Sequence, residues 1–306
     1  MQKQKVIVIG GPTASGKTAL SIALAQKING EIVSADSMQI YKDMDIGTAK
    51  PTKQEIQGIK HYMLDFVSPE ERYSVADYKK EAKKAIKEIL EKGKVPIVIG
   101  GTGLYIESLI YEIEFLNVET NLEYRKHLEE IAEKEGLEVL YKKAVEIDSK
   151  AMEKISPNDR KRMIRVLELY HETGKTKTQL DEESKKEPEY DYKLFAIEME
   201  REKLYERINK RVDIMLELGL IEEVKQICKK YNEFPTAMQG LGYKEVVEYL
   251  NKKITYEEMV EKIKMESRRY AKRQLTWFRK YENLTWINGL DPVEKNIEII
   301  MNKYNS

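Results

Sequence analysis

The sequence holds one cysteine in 306 residues, Cys228. A single thiol excludes an internal disulfide and cannot build a cysteine zinc site. Histidine is almost as scarce: His61, His127 and His171 stand far apart, and packing or surface roles suit each better than metal ligation. No apolar run approaches the roughly 20 residues that a membrane span needs. No apolar segment follows a basic start, and the glycines at 10 and 11 come too soon for a cleaved leader, so the expected location is cytoplasmic, with no membrane partner. Neither sign of charge is in excess, with 53 basic residues against 53 acidic ones. A neutral total exerts no long-range pull on nucleic acid, so any such binding relies on local patches.

What the sequence does have begins at residues 11–18. Gly11-Pro12-Thr13-Ala14-Ser15-Gly16-Lys17-Thr18 is G-x-x-x-x-G-K-[ST], a phosphate-binding P-loop. The β-branched run Val6-Ile7-Val8-Ile9 before it reads as a buried strand, and Thr18 to Ile28 reads as a helix. That context turns backbone N–H groups and a helix N-terminus toward an anion. Lys17 is placed to reach terminal phosphate oxygens and the Thr18 hydroxyl to ligate Mg²⁺.

Further strands are expected at Glu31–Ala35 and Val95–Ile99, with a helix between them carrying Val75, Tyr78, Ala82, Ala85, Ile86 and Ile89 inward. Short buried strands alternating with helices predict a parallel sheet with helices on both faces, an α/β core like that of P-loop NTPases. Ligands of such sheets bind at the carboxyl ends of the strands. From about residue 114 to 190 strand-like runs vanish, and the segment reads as an α-helical insertion. Ser156-Pro157-Asn158-Asp159 reads as a capping-box start of a helix with Met163, Val166, Leu167 and Tyr170 inward, ending at Gly174. Thr176 to Pro188 reads as a polar linker. Strand character returns at Lys193–Ile197, and a long helix follows with Gly219 past its end. Thr255 caps the last long helix, which reaches Trp277. The organisation expected is core at 1–113, insertion at 114–190 and core again at 191–306.

Several residues can carry chemistry. Asp36 follows the second strand. It can orient Mg²⁺, take a proton from a nucleophile, or cap an Asx turn. The third strand ends in Gly100-Gly101-Thr102-Gly103 where a Walker-B ATPase ends in Asp, which argues against ordinary ATP hydrolysis. Those glycines either admit a ligand close to the backbone or only form a tight turn. Two basic clusters stand out: Arg160-Lys161-Arg162 with Arg165, and Lys262 to Lys280 with Tyr270, Trp277 and Phe278 interleaved. Cations for phosphate and rings for splayed bases suit RNA, and Glu-paired solvated helix faces explain such clusters equally well. Arg201, Arg207 and Arg211 are either phosphate-neutralising or plain surface charges.

Taken together, these motifs closely resemble the tRNA dimethylallyltransferases, also called isopentenyltransferases. The P-loop, Asp36-Ser37-Met38-Gln39-Ile40-Tyr41 and Met44-Asp45-Ile46-Gly47-Thr48-Ala49-Lys50-Pro51 match in order. So do Gly100-Gly101-Thr102-Gly103-Leu104-Tyr105, Asn158-Asp159 with Arg162 and Arg165, Gln239-Gly240-Leu241-Gly242-Tyr243-Lys244-Glu245 and Ala271-Lys272-Arg273-Gln274-Leu275-Thr276-Trp277. The chain departs from the family pattern between Leu116 and Tyr124.

The resemblance implies transfer of a dimethylallyl group from dimethylallyl diphosphate to N6 of adenosine 37, in tRNAs reading codons that begin with U. Asp36, Thr102 and Lys17 are then the catalytic residues, with Asp36 as general base. Gly11, Pro12, Thr13, Ala14, Ser15, Gly16, Lys17 and Thr18, with Arg207 and Arg211, hold the diphosphate, and Thr18 holds Mg²⁺. Asp36, Ser37, Met38, Gln39, Thr102, Arg125, Lys161, Arg162, Arg165, Gln239, Gly242, Tyr243 and Lys244 meet the anticodon stem-loop of the tRNA. The expected working unit is a monomer. The competing readings are a small-molecule kinase, a prenyl transferase acting on free AMP, and an RNA-binding protein without turnover.

Overall fold

Lys5–Gly10 forms β1, buried from Val6 onward, because four consecutive β-branched residues fit a strand covered on both faces. The computed structural model describes residues 3–115 and 121–306. The chain leaves β1 through the P-loop into α1 (Lys17–Ile28), then β2 (Gly30–Ser34) and a two-residue edge strand β3 (His61–Tyr62). It continues through α2 (Val75–Glu91), β4 (Val95–Gly100) and α3 (Gly103–Ile110). The next five helices are α4 (Leu122–Lys134), α5 (Leu137–Ile147), α6 (Ser149–Met152), α7 (Arg160–Thr173) and α8 (Lys177–Ser184). The core resumes with β5 (Asp191–Glu198), α9 (Arg201–Glu217), α10 (Leu220–Lys230), α11 (Tyr243–Leu250) and α12 (Tyr256–Phe278). It closes with β6 (Thr285–Asn288) and α13 (Val293–Asn305).

The six strands form one parallel sheet in the order β3-β2-β4-β1-β5-β6. Residues alternate between its faces. Ile7, Ile9, Ile32, Ile97, Phe195 and Ile197 pack on Leu20, Leu24 and Ala25 of α1 and on Ile297 and Ile300 of α13. Their neighbours Val6, Val8, Val33 and Val98 are equally buried on the opposite face, where α2 lies against β2 and β4. This is the parallel α/β sheet with helices on both faces that the strand pattern predicted.

The chain divides into two compact units, residues 1–110 with 188–306, and residues 111–187. The second is a helical unit built on Leu128, Ile131, Leu140, Ala144, Met152, Met163, Val166 and Leu167. Within it, three local expectations are corrected. The Asp159 side chain accepts from Arg162 N–H and caps α7, which starts at Arg160, so Ser156 is not the cap. Tyr170 is exposed although its spacing puts it on the stripe of Met163 and Val166, because it lies in the last turn of α7. Residues 176–188 are not a plain linker: Thr176 and Gln179 form a capping box that starts α8. The unmatched stretch between Leu116 and Tyr124 lies mostly outside the described residues, which omit 116–120.

The first unit carries more structure than the sequence pattern revealed. β3, β6 and α13 were not foreseen, so the helix ending at Phe278 is not the last one. A second apolar cluster joins Ile40, Tyr41, Met44 and Val67 of the segment after β2 to Val212, Val224, Tyr243, Val246, Met259 and Ile263 of α9 to α12. It fixes that segment beside the carboxyl end of the sheet.

Candidate active site

The P-loop lies where β1 ends, between the ends of β4 and β5. Gly16 caps α1 with φ of 91°, a left-handed conformation that glycine adopts without penalty. Ala14 adopts φ of 62° with a side chain, a strained value held by its packing among Leu204, Ile208 and Ala271. Ser15 Oγ is buried and has no hydrogen-bond partner among the described residues. Lys17 Nζ donates to the Pro12 carbonyl at 2.5 Å. Burial drives the Lys17 pKa down to about 7, the positive charge of Arg211 adds to the fall, and Asp36 opposes it. Burial also lowers the Arg211 pKa, against the pull of Asp36 and Glu55. The charge of Asp36 therefore reaches both Lys17 and Arg211 beside the ends of β1 and β2.

The three arginines of α9 thereby separate. Arg211 belongs to this charged group. Arg207 is exposed, with Nη1 donating to the Gly289 carbonyl at 3.5 Å. Arg201 lies over the Tyr205 ring at 5.1 Å from its centroid.

Asp36 does form the Asx turn that was one of its readings. Its Oδ1 accepts from Met38 N–H at 2.9 Å and Gln39 N–H at 3.3 Å. Its Oδ2 takes no part in that turn. Thr102 holds the turn from the neighbouring strand end. Its hydroxyl accepts from Ser37 N–H at 3.0 Å and donates to Ser37 Oγ at 3.2 Å. Sheet-like bonding continues past the strands, with Ala35 N–H to Ile99 O at 2.6 Å and Thr102 N–H to Ala35 O at 3.1 Å.

Helix α12 adds residues to which the sequence gave no individual role. The Gln274 side chain accepts from Thr13 N–H at 2.9 Å and donates to Gly101 O at 3.1 Å. Burial, then the charge of Asp36, raises the Tyr270 phenol to about 12, while its hydrogen bonding with Thr102 and Gln274 works the other way. Trp277 lies against Gly103, and its Nε1 donates to the Tyr281 hydroxyl at 3.0 Å. The motif around Gln274 was visible in the sequence, but only its place in the fold shows what the amide does.

The remaining expected residues fall into different settings. Met38 packs against Gly240. Gln39 Nε2 donates to the Thr48 and Ala49 carbonyls at 3.1 Å each, which ties down the segment at 44–50. Gln239 is exposed. Gly242 N–H donates to the buried Glu245 carboxylate at 2.8 Å, and Lys244 pairs with the same carboxylate at 3.4 Å. Tyr243 is fully buried, which corrects its assignment as an RNA-contacting side chain. Its hydroxyl donates to Glu223 at 2.6 Å, and the Glu223 carboxylate accepts from the N–H groups of Asp45, Ile46 and Gly47.

In the helical unit, Arg125 pairs through two bonds with the buried Glu168, at 2.6 and 2.9 Å, and Arg165 approaches the same carboxylate at 3.6 Å. Lys161 and Arg162 are exposed, Arg162 beside Asp159. The basic cluster of α12 is partly self-paired: Lys262 with Glu248, Lys264 with Asp213, Arg268 with Asn209 and Arg269 with Glu266. Lys272, Arg273, Arg279 and Lys280 form no ion pair among the described residues.

No group of three or more His, Cys, Asp or Glu among the described residues is arranged to hold a metal ion. Thr18 is exposed at the first turn of α1. This donor set fits an ion carried chiefly by phosphate oxygens and water, as Mg²⁺ is in phosphate sites, and does not fit a protein-built cage.

The family model for IPP transferase matches residues 39–281. The chain belongs to that family. It is 55% identical to a tRNA dimethylallyltransferase of Acetivibrio thermocellus, over 97% of this chain and 95% of the relative. It is 48% identical to one of Bacillus cereus, over 98% and 94%. The solved tRNA isopentenylpyrophosphate transferase of Bacillus halodurans superposes with a TM-score of 0.74 at 40% identity, covering 99% of this chain and 97% of that one. A eukaryotic dimethylallyltransferase acting on tRNA superposes at 0.79 with 35% identity, covering 94% of this chain and 74% of that one. This chain is accordingly a transferase enzyme.

Proposed function

We propose that the protein transfers a dimethylallyl group from dimethylallyl diphosphate to N6 of adenosine 37 in tRNAs reading codons that begin with U. The observation that carries this is the grouping of Lys17, Arg211 and Asp36 at the carboxyl end of the sheet: two basic side chains at a phosphate loop, with a carboxylate beside them. The allylic C–O bond breaks with its electron pair going to the diphosphate. The N6 lone pair forms the new N–C bond, and N6 loses a proton to Asp36. Loop N–H groups, Lys17 and Arg211 stabilise the charge that builds on the leaving oxygens. The adenine amine is a weak nucleophile because its lone pair is delocalised into the ring, which is why a positioned base matters. Mg²⁺ held at Thr18 supplies further neutralisation of the diphosphate when bound.

The acceptor base must leave its stack to reach a site at the strand ends. Ser37, Met38, Gln39 and Thr102 line the acceptor side, with Gln239, Gly242 and Lys244 nearby in the same unit. Arg125, Lys161, Arg162 and Arg165 give residues 111–187 a phosphate-binding surface. The protein works in the cytoplasm as a monomer. No helix among the described residues is long and apolar enough to cross a membrane. The kinase reading loses ground because β4 ends in glycines and not in a metal-binding carboxylate.

The test is incorporation of label from dimethylallyl diphosphate into tRNA bearing adenosines at positions 36 to 38, with Mg²⁺ present. Product carrying N6-(dimethylallyl)adenosine at position 37 supports the reading. Absence of incorporation, or ATP-dependent phosphorylation of a small acceptor, overturns it.

A further inference from the structure

Gln274 is 5% exposed, and both ends of its side-chain amide are used. Its oxygen accepts from Thr13 N–H in the P-loop, and its nitrogen donates to Gly101 O at the end of β4. No other side chain among the described residues hydrogen-bonds both segments. The contact leaves no room at Gly101: a Cβ there would collide with the Gln274 amide nitrogen. The next residue is Thr102, which latches Ser37 and with it the Asp36 turn. A continuous path therefore runs from Thr13 through Gln274, Gly101, Thr102 and Ser37 to Asp36. One end is the diphosphate cradle and the other is the proton acceptor.

The same contact decides which loop donors remain for an anion. Pro12 has no N–H, and the Thr13 N–H is committed to Gln274. Past Pro12, the donors left for the diphosphate begin at Ala14.

We propose that Gln274 is a positioning residue that sets the gap between the leaving diphosphate and Asp36. This rests on the prenyl-transfer reading above. Gln274 touches neither substrate in this role; it holds two strand-end loops in register. Misplacement of reacting groups by about 1 Å can cost on the order of 10²-fold in rate. The expected loss is therefore in the chemical step.

The experiment compares full-length wild type with Gln274→Met, which matches the length and removes both hydrogen bonds, and with Gln274→Glu, which keeps an acceptor for Thr13 but loses the donor to Gly101. Melting temperature, binding of pyrophosphate and of unmodified tRNA, and the single-turnover rate with both substrates saturating are measured for each. The expected result is a single-turnover rate lower by about 10²-fold in Gln274→Met, with a smaller fall in Gln274→Glu and tRNA binding within about threefold of wild type. A single-turnover rate near wild type in either folded variant overturns the assignment. So does a loss accounted for by weaker substrate binding alone, which would make Gln274 a structural brace. If Gln274→Met does not fold, Gln274→Glu is judged by the same criteria. A wild type that transfers no prenyl group removes the proposed reaction, and this role with it.

Discussion

Thr102 and Ser37 are joined twice, once through the Ser37 amide and once through its hydroxyl, at 3.0 and 3.2 Å. The joint ties the end of β4 to the turn in which Asp36 sits. Thr102→Val keeps the shape and removes both bonds. It should cost about 1–2 kcal/mol in stability and slow turnover on the order of tenfold as the Asp36 turn loosens. Thr102→Ser should restore both. Thermal melts beside the prenylation rate check this, and a Val variant as fast as wild type would make the latch irrelevant to catalysis.

Asp36 has two roles that a single substitution confuses. Oδ1 holds the Asx turn through Met38 and Gln39 N–H, and Oδ2 stands outside it. Asp36→Asn keeps an acceptor for the turn and removes the base. Its rate should fall by roughly 10²–10⁴ with little change in melting temperature. Asp36→Ala should lose the rate and also some stability. Both should still bind tRNA, as measured by filter retention. Equal activity in Asp36→Asn and wild type would remove the general-base role.

Some of this was legible in the residues themselves. Val6–Ile9 before the P-loop and Val95–Ile99 before Gly100 announced central strands, because β-branched runs that end in glycine, the second broken only by Pro96, have few other uses. β3 and β6 stayed hidden. Two and four residues are too short for a pattern, and they pair because longer strands already offer an edge. Lys17 was visible through the P-loop spacing, and Asp36 through its place after the second strand. Gln274 was not assigned a role, because its work depends on α12 crossing two loops far away in sequence. Tyr243 was given to the tRNA only through the resemblance of its motif, and a motif match does not reveal that the side chain is buried in the second apolar cluster.

Lys17 gives a pH signature. Its folded-state pKa near 7 lies below its ordinary 10.5, and burial is the chief cause. Between about pH 7 and 10.5 the unfolded chain binds the extra proton, so this residue's contribution to stability rises with pH across that window. A diphosphate beside the ammonium restores the higher pKa. Pyrophosphate binding near pH 8 should therefore take up close to one more proton in wild type than in Lys17→Met. Calorimetry in buffers of different ionisation enthalpy measures the difference; equal uptake would show that Lys17 is already charged in the free enzyme.

Glu168 and Arg125 should respond unequally to removal. The Glu168 side chain is buried, whereas that of Arg125 is over a third exposed. Arg125→Ala strands a buried carboxylate with only Arg165 near it, at a cost of about 3 kcal/mol. Glu168→Gln leaves arginines that can turn to water, so its stability cost should be about 1 kcal/mol. Chemical denaturation compares the two. A larger loss in Glu168→Gln would mean that the carboxylate organises more of the helical unit than its arginine partners.

The buried Tyr243 hydroxyl and Glu223 make the final case. Glu223 accepts from three consecutive loop N–H groups, Asp45, Ile46 and Gly47, and from Tyr243. Tyr243→Phe removes one of four donors and leaves the carboxylate satisfied by the backbone. It should cost about 1 kcal/mol and leave tRNA affinity unchanged. Glu223→Ala frees all three N–H groups together, so the 44–50 segment that Gln39 also grips should loosen. Hydrogen exchange at Ile46 and Gly47 should quicken in Glu223→Ala and stay slow in Tyr243→Phe. A marked loss of tRNA binding in Tyr243→Phe, with unchanged exchange, would instead mean that the hydroxyl reaches RNA in the complex.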